Sequence, residues 1–159
     1  SAIVAGIINT RTGEIIETIE NTSAKVRLSL KVRDELNAEH GPNAFMVFEF
    51  NSVGGLGNVD FVKVKMAEGT DEAMNVLYRL QAQYRIQEIG KALDRAETEL
   101  ATAEEARDEC LALFGENQSA KREFVEDALS EAVDECRDAV NELKQRLGRQ
   151  RRRVSELTD

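Results

Sequence analysis

The sequence has no tryptophan, one proline, one histidine and two cysteines, and aromatic residues fill only 5% of its 159 positions. Each scarcity excludes something. With His40 as the only histidine, neither a His-based metal site nor a nucleophilic triad comes together, and a buried or capping role suits that residue better than catalysis. Cys110 and Cys136 are too few for the disulfide framework of a small secreted domain and read as small apolar side chains. No apolar run is long enough to span a bilayer, and none has the form of a leader. Ser1 reads as following a removed initiator methionine, and the expected location is cytoplasmic or otherwise intracellular, a virus-associated setting included. With Pro42 as the only proline, long helices meet no interruption.

Motifs that would carry chemistry are equally scarce. Gly54, Gly55 and Gly57 make a glycine-rich loop, yet no Lys-Ser/Thr follows and no helix opens there, so it reads as a hairpin connection. The acid pairs Glu104-Glu105, Asp108-Glu109 and Asp134-Glu135 lack the Glu-x-x-His partner of a di-iron bundle and are explained by solvated helix faces. The expectation is therefore no catalytic residue, no metal and no cofactor.

What is present is apolar content of 42%, enough to build a core, and a charged fraction of 32% that favours long helices with wet faces. The net charge of −9 is unevenly placed: residues 1–70 hold seven bases and nine acids, residues 71–143 hold eight bases and nineteen acids, and residues 144–153 hold six bases and no acid.

Residues 1–69 read as a β-rich domain. The apolar, β-branched stretch 2–9 is followed by turn chemistry at Thr10-Arg11-Thr12-Gly13, with Gly13 as the positive-φ residue, and then by a second apolar stretch carrying Ile15, Ile16 and Ile19. In residues 25–33, Val26, Leu28, Leu30 and Val32 alternate with charged or small side chains, the period of a strand. At about 100° per residue the same four fall on opposite sides of a helix, which would leave half of them in water. A helical turn over 34–40 ends at Gly41-Pro42-Asn43. Residues 44–50 then form a strand apolar on both faces, hence central or covered, and 59–66 a half-buried one. The order matches an oligonucleotide-binding-like five-stranded barrel, one architecture this small antiparallel domain can take.

Residues 70–159 read as a long antiparallel two-helix coiled coil, so the fold class is α+β. Thr70 or Asp71 caps the first helix, which runs on the order of 65 Å to Phe114. Leu93, Leu100, Cys110 and Phe114 lie on its seam, and alanines 92, 96, 103 and 106 share that register. A turn at 115–119 is too short for anything but antiparallel neighbours. The second seam, Leu129, Val133, Cys136, Val140, Leu143, Leu147, Val154 and Leu157, keeps a 4-3 spacing over four heptads, accompanied by alanines 128, 132 and 139. Gly90 and Gly148 interrupt the two helices at similar distances from the turn, either as a shared bend or close helix contact or as two tolerated glycines. Cys110 and Cys136 fall out of register for an internal disulfide. Apolar residues off the seam, among them Val76, Leu80, Tyr84, Ile86, Leu111 and Val125, call for packing on the β-domain or for self-association.

Two basic groups are the candidate binding residues. Lys25, Arg27, Lys31 and Arg33 line one face of the expected third strand with Lys63 and Lys65 nearby, a face suited to single-stranded nucleic acid but equally explained by cross-strand pairing with Glu14, Glu17, Glu20 and Glu49. Lys144, Arg146, Arg149, Arg151, Arg152 and Arg153 suit nucleic-acid phosphates or an acidic partner, or simply a helix C-terminus. The leading expectation is a non-enzymatic binding and assembly protein, with a β head for recognition and a hairpin for homo-oligomerisation or docking to a protein partner, and no membrane contact. The alternatives are a single-stranded nucleic-acid binder, a viral or other structural assembly component, and an acidic mimic of DNA.

Overall fold

The structure, a computed structural model, describes residues 2–20, 23–53, 58–62, 69–115 and 118–158, with side chains over 5–16, 28–51, 69–115 and 118–157. It is an α+β chain in the order β1 (Ala2–Asn9), β2 (Ile15–Glu20), α1 (Ser23–His40), β3 (Phe45–Val53), β4 (Asn58–Val62), α2 (Asp71–Ala112) and α3 (Ser119–Thr158). Two compact units result: Ser1–Glu88 with Arg149–Asp159, and Ile89–Gly148.

In the first unit, four antiparallel strands pair in the order β2-β1-β3-β4. β1 opposes β3 with Ile7 across from Val47 and Ile8 across from Met46. Successive side chains on a strand point to opposite faces, so β1 and β3 feed two cores. Ile8, Met46, Phe48 and Phe50 meet Ala73 and Leu77 of α2, with Val76, Leu80 and Tyr84 packed around them. Ile7, Phe45 and Val47 meet Leu30, Val32 and Leu36 of α1. A strand covered on both sides needs apolar residues at consecutive positions, which is the pattern of 44–50. Burying each large side chain of this kind is worth about 1.5–3 kcal/mol.

The expected third strand at residues 25–33 is instead the body of α1. Its sheet-facing side is not the one that alternation picks out: Ser29 is fully buried while Leu28 stays 58% exposed. Residues 24–39 are rich in Ala, Leu, Lys, Arg and Glu, all good helix formers, and the β3 face opposite α2 requires a cover. Among the described residues the sheet has four strands, with a helix in place of the expected third, and a five-stranded oligonucleotide-binding-like barrel is not shown.

Side chains then lock the unit at its turns. Asn37 of α1 accepts the Phe45 N–H at 2.8 Å and donates to the Phe45 carbonyl at 3.2 Å, so its amide stands in for a neighbouring strand at the start of β3. The β1–β2 turn carries Gly13 at φ 76°, as its sequence suggests. Thr10 donates its N–H to the Ala44 carbonyl at 2.9 Å and its hydroxyl to the Asn43 carbonyl at 2.6 Å. Thr70 caps α2 by accepting the Ala73 N–H at 3.2 Å, and it donates its own hydroxyl to the Arg11 carbonyl at 3.1 Å, tying the helix start to that turn.

The second unit is the helical hairpin proper. Ile89, Ala92 and Leu143 form a buried layer, with Leu93, Ala96 and Leu147 against them, and Val133 and Val140 are buried nearer the turn on α3. Arg137 bridges to Glu104 of α2 at 3.6 Å, fixing the antiparallel register. Cys136 therefore stands level with 104–105 rather than with Cys110, an axial offset of roughly 8 Å, and both thiols are free. Alanines 106, 128, 132 and 139 are exposed and lie outside the seam, whereas Ala92, Ala96 and Ala103 are not exposed.

Candidate functional site

The candidate residues fall on three surfaces. The cations assigned to a strand face are carried by α1 instead. Lys31 is exposed, whereas Arg33 is partly buried and turned to its neighbour Asp34 at 2.9 Å. The backbone at Lys25 and Arg27 is helical. Lys63 and Lys65, like the glycine loop 54–57, lie outside the described residues. Among the described side chains, Lys31 and Arg33 lie two apart and so project to opposite sides of the helix.

The second surface is the end of α3. Lys144, Arg149, Arg151, Arg152 and Arg153 are exposed, and Arg146 is partly buried with a partner of its own. Arg149, Arg152 and Arg153 share one helical face by their three- and four-residue spacing. Arg153 lies over the ring of Tyr78 on α2, its guanidinium carbon 5.8 Å from the ring centroid, and Tyr78 keeps 39% of its surface open. A guanidinium at that distance is attracted to the ring face and is held in place by it. The result is an aromatic side chain set beside one arginine of the basic cluster.

The third surface is the closed end of the hairpin, which the seam pattern does not reveal. Leu113 is 83% exposed and Phe124 77%, one on each side of the turn. Gly115 and Gln118 close that turn, Gln118 donating its N–H to the Gly115 carbonyl at 3.0 Å and accepting the Gly115 N–H on its side-chain oxygen at 3.2 Å. Asp127 and Glu131, both exposed, follow Phe124 at spacings of three and seven on the same face. Residues 104–131 hold nine acids against three bases. The signal for this surface was in the sequence: Phe124 does not fit the register that runs back from Leu129, Val133 and Cys136, and Leu113 sits one residue off the seam position Phe114.

The seam residues differ from both surfaces in being covered. Val133, Val140 and Leu143 are buried, and Leu93, Leu100, Cys110, Phe114, Leu129, Cys136, Leu147, Val154 and Leu157 are partly so.

Family models, curated proteins and solved structures were compared with the chain, and none matches.

Site chemistry adds little to this picture. Among the described residues no group of three or more His, Cys, Asp or Glu side chains is placed to hold a metal ion, and no helix is long and apolar enough to cross a membrane. His40 is neither buried nor central to a site: it is exposed in the last turn of α1, with its ring edge-on to Phe45 at 5.5 Å. Beside it an open cleft of about 520 Å³ is lined by Asn9, Arg11, Glu14, Ile16, Ala44 and Phe45. The Asn9 side-chain oxygen is occupied by the N–H groups of Arg11 and Thr12, which leaves the Arg11, Glu14 and His40 side chains as the cleft's polar functions.

Proposed function

We propose that this chain is a non-enzymatic binding and assembly module, in which the sheet-bearing unit supplies recognition and the helical hairpin docks or oligomerises through its closed end. The observation that carries the reading is the pair Leu113 and Phe124, two bulky apolar side chains left to water on either side of one turn. Single exposed apolar residues are ordinary on protein surfaces, whereas a pair bracketing one tip, rimmed by polar groups, has the composition of an anchor in an interface. Light scattering on the full chain tests the assembly half. The expected result is a mass above the monomer that rises with concentration, reduced in a Leu113→Ser/Phe124→Ser variant. A strict monomer at every concentration overturns it.

A second reading, single-stranded nucleic-acid binding, is favoured by the five exposed cations of residues 144–153 alone. Contacts to phosphates release counterions, so affinity for an oligonucleotide falls steeply as salt rises. No binding at low salt removes that reading.

A further inference from the structure

Resting on the assembly reading, we infer that the occupant of the arginine face at the end of α3 is the hairpin tip of a second copy of this chain. The two surfaces are complementary. One presents Tyr78 beneath Arg153, with Arg149 and Arg152 on the same face of α3 as Arg153; the other presents Phe124 followed on its face by Asp127 and Glu131 and preceded by Lys121. An aromatic anchor on a predominantly basic helix end meets an aromatic anchor on a predominantly acidic one, an arrangement that favours one partner orientation over others at an interface.

Two further observations favour a second copy over other partners. The net charge of −9 repels polyanions at long range, so nucleic acid is drawn only to a local patch and opposed by the rest of the surface. Tip against tip fails as well, since residues 104–131 carry a net −6 and two such ends repel. Tip against the α3 end joins opposite charges and covers Phe124. Each copy carries one of each surface, so every copy is both donor and receiver.

Charge-swap variants of the full chain in sedimentation velocity test this. The substituted side chains are all exposed on helices, and circular dichroism verifies that each variant keeps its helix content. Wild-type chain associates at low salt and loses affinity about tenfold or more at high salt. Arg149→Glu/Arg152→Glu and Asp127→Lys/Glu131→Lys are each monomeric alone. Mixed together they form a heterodimer, because one intact tip meets one intact arginine face, and a chain carrying all four substitutions associates again. Association that ignores salt and both swaps overturns the tip-to-arginine contact while leaving the assembly reading in place. A wild-type monomer overturns both. Arginine-dependent oligonucleotide binding without self-association overturns the inference and assigns the arginine face to nucleic acid.

Discussion

Gly13 shows how one residue can decide a junction. Its φ of 76° is costly for any side chain, and a Cβ built there would come 2.9 Å from Val76 Cγ2 and 3.3 Å from the Ala73 backbone on α2. Gly13→Ala is expected to lower stability by about 1–3 kcal/mol from backbone strain and displacement of the helix start combined. Urea unfolding measures it, and an unchanged midpoint shows that the turn and α2 do not meet as described. Ser29 presents the opposite case. It is fully buried on α1, and among the described residues its hydroxyl has no hydrogen-bond partner. An unsatisfied buried polar group costs about 1–3 kcal/mol, and alanine is also the better helix former. Ser29→Ala should therefore raise the urea midpoint, and a fall would show that the hydroxyl has a partner in solution.

At the scale of elements, α1 and the hairpin differ in how much of each could be read from residue order. Alternation in residues 25–33 predicts a strand only if every apolar side chain must be buried. α1 instead leaves Leu28 in water, buries Ser29, and follows the helix-forming bias of its Lys, Arg, Leu and Glu residues. What decided the outcome is tertiary: a β3 face needing cover, and an Asn37 amide completing Phe45. The hairpin was legible because its seam repeats for several heptads, and local repetition survives without knowledge of partners. The arginine end of α3 was legible from a count of charges, and the apolar tip had a signal in the off-register Leu113 and Phe124, while the Tyr78 neighbour, 75 positions before Arg153, required coordinates. Gly90 tests the remaining ambiguity in α2. A Cβ there meets nothing within 4 Å among the described residues, which argues against the close-contact reading for this glycine. Gly90→Ala should thus add up to about 1 kcal/mol of stability through helix propensity alone. Loss of stability on thermal unfolding would mean that the helix bends or packs closely at that point.

At the scale of the whole chain, burial is graded, and the gradient bears on function. β1 and β3 hold Ile7, Ile8, Val47, Phe48 and Phe50, each at most 1% exposed, between α1 and the first turns of α2. In the hairpin, by contrast, no described residue from 93 to 132 is buried. Helices of this kind depend on packing more than on propensity, so the stretch around the turn should open at far lower free energy than the sheet. Hydrogen exchange under native conditions should show the slowest amides in β1 and β3 and the fastest helical amides near residues 110–125. If a second copy covers the tip, those fast amides must gain protection as the chain is concentrated, while the sheet amides stay unchanged. Protection that is uniform along α2 and α3 at low concentration would show that the tip is already stabilised within one chain, and the exposed Leu113 and Phe124 would then need another explanation.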